Sequence, residues 1–261
     1  MLLFLSLQTN RQNQRDNYLL SDLDKQTIHT INIHRKNGSL LSFEKQGGVW
    51  WLTGATRLRA KRERIEAILG LAKSRSFAEI NPANTPLNVY QLQPAEMVLD
   101  LDQHRFIFGG TDPIDARRYV LYNNVIHLIN DNLFHQLGQA NLFFLSTKLI
   151  AEDETILRID FGDQLLSLSR DSWAITPPAK DQSENLPAVL ASSWQKAEAR
   201  SVSAYKRIQK LPLISVHLYG GRTAIFDVVS NQSELILARA DLGIQYNFAS
   251  GHAEKLLLKT D

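Results

Sequence analysis

Near the start of the chain, apolar and polar residues alternate with the period of a β-strand. Apolar residues recur mostly at every second position of Thr27–His34, as expected of a strand with one buried face. Asn37–Gly38 is a strong hairpin turn signal, and Leu40–Glu44 continues as a second strand. Gln46–Gly48 marks a further turn before a third strand at Val49–Thr53. The pattern predicts a three-stranded antiparallel meander.

The period then changes to that of a helix. Ala60–Lys73 is predicted to be an amphipathic helix, and its apolar face is formed by Ile65, Ile68, Leu69 and Ala72. Phe77–Pro94 contains three prolines and several asparagines and is predicted to be a long loop. Two hairpins are expected, one at Met97–Leu101 with Arg105–Phe108 and the other at Arg118–Tyr122 with Val125–Ile129. A short helix is expected at Asp131–Leu137, with an Asp or Asn residue available as its N-cap.

The second half of the chain repeats this layout. The corresponding segments are Ile31-x-Ile33 and Leu157-x-Ile159, Leu40–Phe43 and Leu165–Leu168, and Trp50-x-Leu52 and Trp173-x-Ile175. A second amphipathic helix is predicted, with a face formed by Leu186, Val189, Leu190, Trp194 and Ala197. Four further strands and a short closing helix are expected at Leu213–Leu218, Thr223–Val229, Glu234–Ala238, Gly243–Phe248 and Ser250–Lys259.

The repeat predicts an α+β fold made of two repeated units, each with the order βββ-α-ββββ-α. Short strands joined by tight turns favour mainly antiparallel pairing, so each unit is expected to form a curved sheet packed with helices. The predicted organisation is an apolar stub and polar linker at 1–26, a first unit at 27–140, a connecting segment at 141–153 and a second unit at 154–261.

The composition is that of an ordinary globular protein, with 44% hydrophobic and 21% charged residues. A formal net charge of +2 is too small to indicate nucleic acid as a global partner, although charge can still be clustered locally. The chain has no cysteine, which excludes disulfides, zinc–thiolate sites, iron–sulfur clusters and cysteine nucleophiles. A cysteine-free chain is compatible with the periplasm and with the cytoplasm.

An apolar run followed by a polar one forms the N-terminus. Met1–Leu7 is almost entirely apolar, and Gln8–Asp16 is rich in glutamine and asparagine. Seven residues are too few to span a bilayer, which takes about 20 apolar residues, and the basic start of a secretory signal is missing. The pattern fits either a short strand or frayed end, or the stub of a membrane anchor followed by a juxtamembrane linker.

An ordered set of short motifs runs through the first half: Trp50-Trp51-Leu52, Tyr90-Gln91-Leu92-Gln93-Pro94, Gly109-Gly110, Pro113 and Tyr119-Val120. In this order they resemble the bacterial domain-of-unknown-function family 4340, well over residues 27–140 and more loosely in the second half. The sequence departs from the family at Gln91, where glycine is usual. It also lacks the proline after the first Trp strand, which Pro177 supplies in the second half.

The resemblance implies an extracytoplasmic protein with an N-terminal membrane anchor, placed at the periplasmic face of the inner membrane. Some relatives look like accessory parts of ABC-type transport or gliding systems. The resemblance implies no known activity and no catalytic residue.

A basic cluster follows the first Trp strand and is formed by Arg57, Arg59, Lys61, Arg62 and Arg64. Cations beside an aromatic side chain can bind phosphates, lipid headgroups or an acidic partner, and cations near a helix start are mildly unfavourable with the helix dipole. The alternative is that these residues form the solvated face of the helix. Trp50 aligns with Trp173 and is expected in the core, whereas Trp51 is expected either to anchor an interface or to pack on the loop that begins at Phe77.

Asp100, Asp102 and His104 alternate and would lie on one face of a strand, where oxygen and imidazole groups could hold a divalent cation. The alternative is a solvated outer face near a turn, because Leu99 and Leu101 fill the opposite face. No zinc-binding helix motif, nucleophile elbow, phosphate-binding loop or dinucleotide fingerprint is present.

Three functions remain open at the level of sequence. The first is a non-enzymatic, membrane-associated extracytoplasmic scaffold or accessory protein, without a cofactor, that binds a protein partner such as an ABC-type transport system. The second is a module that binds an anionic polymer or lipid headgroup through Trp51 and the basic cluster. The third is a metal-dependent hydrolase that uses Asp100, Asp102 and His104. A cytoplasmic location is the alternative to the periplasmic one.

Overall fold

The computed structural model describes residues 18–178 and 183–258. The expected apolar stub and most of the polar linker after it lie outside the described residues. The chain divides into two compact units, one formed by residues 1–144 and the other by 145–261. Within the described ranges, no helix is both long enough and apolar enough to cross a membrane.

The first unit contains a nine-stranded antiparallel sheet and a separate strand pair. Its strands are β1 (Tyr18–Leu19), β2 (Thr30–Arg35), β3 (Leu40–Gln46), β4 (Val49–Leu52), β5 (Leu58–Arg59), β6 (Arg75–Ser76), β7 (Glu79–Ile80), β8 (Met97–Leu101), β9 (His104–Thr111), β10 (Arg118–Tyr122) and β11 (Val125–Ile129). The sheet order is β5-β4-β3-β2-β8-β9-β10-β11-β7, and β1 pairs with β6. Its helices are α1 (Arg62–Gly70) and α2 (Asn132–Leu137).

The second unit is built on an eight-stranded antiparallel sheet. Its strands are β12 (Ile156–Asp160), β13 (Leu165–Ser169), β14 (Ser172–Thr176), β15 (Ser201–Ala204), β16 (Leu213–Leu218), β17 (Thr223–Asn231), β18 (Leu235–Arg239) and β19 (Ile244–Asn247). The sheet order is β14-β13-β12-β16-β17-β18-β19-β15. Its helices are α3 (Leu186–Lys196) and α4 (Ala253–Leu256).

At the level of class, the prediction is confirmed: the fold is mixed α+β, dominated by antiparallel strands in open sheets, with 41% strand and 18% helix. Strands of two to nine residues joined by tight turns leave little room for the crossovers that parallel strands need. The meander strands at the start of each unit and the hairpins after the first helix all form near their predicted positions.

One face of the first sheet is buried. Because side chains alternate along a strand, the register that pairs Ile31 with Leu101 and Ile33 with Leu99 puts all four on the same side, where each is fully buried. Helix α1 buries three of the four residues of its predicted face, and Ala72, in the 3-10 turn at Leu71–Lys73, completes it.

Trp194 occupies the centre of the core of the second unit. It is fully buried on α3, and its indole nitrogen donates a 2.7 Å hydrogen bond to the carbonyl of Leu256. The rings of Phe226 and Phe161 lie 5.7 and 6.2 Å from it in edge-on arrangements. The helix is rotated relative to its predicted face, because Pro187 is buried and Val189 is 57% exposed.

Sequence analysis missed several short pairings. Leu58–Arg59, Glu79–Ile80 and Ser201–Ala204 each form an edge strand, so part of the predicted loop Phe77–Pro94 is paired with β11. Two to four residues carry no recognisable period, and only the neighbouring strand makes them extended. Asp131 is the N-cap residue of α2, but its carboxylate binds the guanidinium of Arg118 and makes no cap hydrogen bond.

The motif at Tyr90–Pro94 packs directly on the glycine pair at the end of β9. A Cβ atom on Gly109 would lie 2.2 Å from the carbonyl oxygen of Tyr90, so that position admits no side chain. Gln91 adopts the left-handed conformation (φ 55°) that glycine favours, and its side-chain amide covers Gly110. The ring of Tyr90 meets that of Tyr119 edge-on at 4.9 Å. Motifs far apart in the sequence therefore contact one another in one place.

Replacing Gly109 by alanine should lower the free energy of unfolding by about 1–3 kcal/mol, because the new methyl group forces two backbone segments apart. Gly70→Ala is the matched control, because Gly70 ends α1 with a helical φ of −63° and no atom within 4 Å of the added Cβ. That control should gain about 0.5–1 kcal/mol. Urea unfolding curves check both, and equal midpoints for the two variants would disprove the close contact.

Candidate binding surface

The two tryptophans of β4 point to opposite sides of the sheet. Trp50 is 8% exposed and lies in the core, as predicted, whereas its sequence counterpart Trp173 is only half-buried. Trp51 lies on the outer face, where it faces Glu44 on one neighbouring strand and Arg59 on the other. Trp51 therefore lies on the outer face of the strand next to the edge of the sheet.

Two arginines of the basic cluster contact the Trp51 ring. The guanidinium carbons of Arg57 and Arg59 lie 5.1 and 5.3 Å from the ring centroid, within the range of cation–π attraction. Arg57 also donates a hydrogen bond to the side-chain oxygen of Gln46. Trp51 is half-buried.

The other three cations lie where helix α1 begins. The backbone N–H of Lys61 donates a 2.7 Å hydrogen bond to the carbonyl of Phe144, which fixes the position of the helix start. The guanidinium of Arg64 lies 3.6 Å above the ring of Phe143. The side chain of Arg62 is exposed. Sequence analysis did not identify Phe143 as a partner, because no local pattern relates it to the helix.

The basic surface, as we call the side chains of Arg57, Arg59, Lys61, Arg62 and Arg64, thus divides into two kinds of cation. Arg59 and Arg64 lie against aromatic rings and are half-buried, whereas Arg62 and Arg57, the latter also over the Trp51 ring, are exposed. Glu63 is the one acid among these eight consecutive residues. The arrangement concentrates positive charge along an edge strand and the helix turn that follows it, and this can attract an anionic group.

Asp100, Asp102 and His104 do not share one strand face, contrary to the prediction. Asp100 ends up buried between strands, where Arg105 donates hydrogen bonds of 2.8 and 3.0 Å to its two oxygens and the imidazole of His34 lies 3.0 Å away. Burial raises the pKa of Asp100, but the hydrogen bonds and charges of Arg105 and His34 outweigh it, so the pKa is lowered overall. Its oxygens are committed to these partners.

Asp102 and His104 are directed elsewhere by the turn between β8 and β9. Asp102 has a positive φ of 50°, and its carboxylate accepts hydrogen bonds from the backbone N–H groups of Thr30 at 2.8 Å and His29 at 3.1 Å. The imidazole of His104 lies 3.2 Å from the hydroxyl of Tyr122. In the described ranges, no three His, Asp or Glu side chains form a group that could hold a metal ion.

A serine, a histidine and a glutamate come together at Ser76, His127 and Glu79. The Ser76 hydroxyl lies 3.0 Å from Nδ1 of His127, and Glu79 approaches the same nitrogen at 3.8 Å. A catalytic triad needs the acid and the nucleophile on different nitrogens of the imidazole. Ser76 and His127 are also buried, and Ser76 lies 3.1 Å from the carbonyl of Ala78. The group joins β6, β7 and β11 and does not have the geometry of a triad.

Sequence analysis also missed a buried carboxylate in the second unit. Asp227 is fully buried and accepts hydrogen bonds from the hydroxyl of Tyr205 at 2.9 Å and from the guanidinium of Arg207. Because its neighbours come from a loop some 20 residues earlier in the chain, no spacing rule would have identified them. Its contacts hold the Tyr205–Arg207 segment against the sheet.

Comparison with family models, with curated proteins and with solved structures found no match to this chain.

The buried imidazole of His127 makes the stability of the first unit dependent on pH. Burial lowers the pKa of His127 below its usual 6.5, although the nearby Glu79 opposes this. The unfolded chain therefore takes up a proton at a higher pH than the folded chain does, and stability falls as the pH drops from 6.5 towards the folded pKa. His127→Gln should reduce that fall while it keeps a polar partner for Ser76.

Urea unfolding at a series of pH values tests this expectation. His29→Gln removes an exposed imidazole and serves as the control. If His127→Gln and wild type lose stability in parallel below pH 6.5, the buried imidazole is not the source of the effect.

Proposed function

We propose that this chain is a non-enzymatic, membrane-associated scaffold or accessory protein of the extracytoplasmic space, and that the basic surface binds the acidic surface of a protein partner. The observation that carries the proposal is the exposure of Arg57 and Arg62 in a segment of eight residues that holds five cations and one acid, Glu63. A concentration of positive charge in one segment can steer an anionic partner and set its orientation.

The chemistry of the basic surface favours carboxylates over stacked rings. Guanidinium groups bind carboxylates, and phosphates likewise, through paired hydrogen bonds. Binding of nucleic acid or a polysaccharide would instead use the face of Trp51, and Arg57 and Arg59 already lie over that ring. We therefore place an anionic polymer or a lipid headgroup second, as ligands of the same surface.

We also propose that the two units are copies of one unit. In each sheet the first strand of a three-strand meander pairs with the first strand of a four-strand meander, as β2 does with β8 and β12 with β16. In each, a short strand pairs with the last strand of the second meander: β7 with β11 and β15 with β19. Duplicated binding folds of this kind suit a scaffold role.

The location and the process served rest on the resemblance to the domain-of-unknown-function family 4340. It supports a periplasmic position at the inner membrane and a partner in an ABC-type transport system. The fold gives this resemblance a physical basis, because the motifs at Tyr90–Pro94, Gly109–Gly110 and Tyr119 contact one another.

Removing the two exposed cations should weaken binding to an acidic peptide. The variant is Arg57→Ala with Arg62→Ala, and the probe is fluorescently labelled polyglutamate followed by anisotropy at low and high salt. We expect the dissociation constant to rise about tenfold, which is about 1.4 kcal/mol, and the dependence on salt to become shallower.

Lys206→Ala with Lys210→Ala is the matched control, because it removes two exposed cations from the second unit. An equal effect of both pairs would mean that net charge, and not the basic surface, determines binding. Tighter, salt-sensitive binding to single-stranded DNA or to anionic lipid vesicles than to polyglutamate would favour the second candidate ligand.

Cell fractionation tests the location. In the native host, the protein should sediment with membranes, be released by detergent, and be digested when protease is added to spheroplasts. A cytoplasmic enzyme that survives the same protease treatment serves as the control. Recovery in the soluble cytoplasmic fraction would contradict the extracytoplasmic part of the proposal.

A further inference from the structure

The second sheet ends in a strand whose outer edge is open. Strand β14 pairs with β13 on one side, and among the described residues no strand pairs with its other side. The corresponding strand of the first unit, β4, is covered by β5. After β14 the chain continues into Pro177–Pro178, which cannot donate backbone hydrogen bonds to a covering strand.

The turn before β14 determines which of its backbone groups point outward. Arg170 and Asp171 both have positive φ, 47° and 67°, and join Ser169 to Ser172 in a two-residue turn. In such a hairpin the pair that flanks the turn exchanges hydrogen bonds, and every second pair does so thereafter. The N–H and C=O groups of Trp173 and Ile175, which lie between these pairs, therefore point to the open edge.

The sequence of this edge strand lacks the usual protection against pairing. Natural edge strands are shielded by charged residues, prolines, bulges or short length. β14 has five residues, Ser-Trp-Ala-Ile-Thr, with no charge and no proline, and its pairing with β13 is regular. On its core side, Leu168 of the neighbouring strand is 39% exposed and Trp173 is half-buried. Apolar surface therefore adjoins the open backbone groups.

We infer that β14 pairs with β14 of a second copy of this chain, antiparallel and centred on Ala174. The strand is self-complementary in this register. Trp173 lies opposite Ile175 of the other copy, which is a favourable aromatic and β-branched pair, and Ser172 lies opposite Thr176. Ala174 lies opposite its own counterpart, and small side chains there permit close approach.

The same register uses every outward-pointing group of the strand. Trp173 of one copy and Ile175 of the other form a hydrogen-bonded pair, in which each N–H donates to the carbonyl of its partner, and the twofold symmetry repeats the pair. A shift by one residue would place the exposed hydroxyls opposite the apolar side chains and break this match. An unrelated strand would need the same alternation by coincidence, whereas a second copy always has it.

A charge at the centre of the strand tests the interface. Ala174 is exposed, so Ala174→Lys leaves the core of the unit unchanged but places two ammonium groups opposite each other in the dimer. Sedimentation velocity on the full chain over a concentration series should give a dimer for wild type. We expect a dissociation constant at least about tenfold higher for Ala174→Lys and for Ala174→Glu.

An equimolar mixture of the Lys and Glu variants should restore the dimer, since opposite charges then face each other. Ser169→Lys is the matched control, because it adds the same charge at an exposed position of β13 and should leave the dimer intact. The rescue also separates a lost interface from a misfolded variant, because a misfolded protein would not be restored by mixing.

Three results would overturn the inference. The first is a wild-type chain that stays monomeric up to about 1 mM, where an association of about 4 kcal/mol would already be visible. The second is a dimer that Ala174→Lys and Ser169→Lys affect equally. The third is failure of the two folded charge variants to associate with each other.

Discussion

The pairing of β2 with β8 holds the first unit together. It joins a three-strand meander to a four-strand meander across the helix and loop that separate them in sequence, and the two would otherwise be small sheets with open edges. The register places Ile31 against Leu101 and Ile33 against Leu99, so the buried faces of both meanders become continuous. β12 and β16 make the equivalent pairing in the second unit.

That register also explains which partners the polar residues between the apolar ones contact. Asn32 and Asp100 face each other across the same pair of strands, and His34 lies one step further along the outer face. Arg105, on the next strand, completes the set of partners. The carboxylate of Asp100 is the buried member of this set, and a buried charge needs partners because water reaches it poorly. The same acids that looked like metal ligands are thus held by neighbouring side chains.

Sequence alone predicted the elements whose period is clear and long enough. The strands of the first meander and the buried side of α1 follow from alternation and helical spacing, and the core position of Trp50 was expected from its alignment with Trp173. Val189 was predicted on the buried face of α3 but is exposed, because the rotation of the helix depends on where its first turn starts.

Elements that only tertiary contacts create were missed. Glu79–Ile80 and Ser201–Ala204 are too short to carry a signal, and only the strands beside them make them extended. The basic cluster was visible in sequence, but its division into half-buried and exposed arginines was not. That division depends on Phe143, which reaches Arg64 through the fold and not through spacing.

The two adjacent glycines at the end of β9 differ in which substitutions their positions can accept during evolution. At Gly109 the obstacle is the backbone of Tyr90, which no other substitution can remove. At Gly110 the obstacle is the end of the Gln91 side chain, which can move or be shortened. Positions 91 and 110 are therefore free to change as a pair, with a glycine at 91 making room for a side chain at 110, whereas position 109 has no such compensating partner.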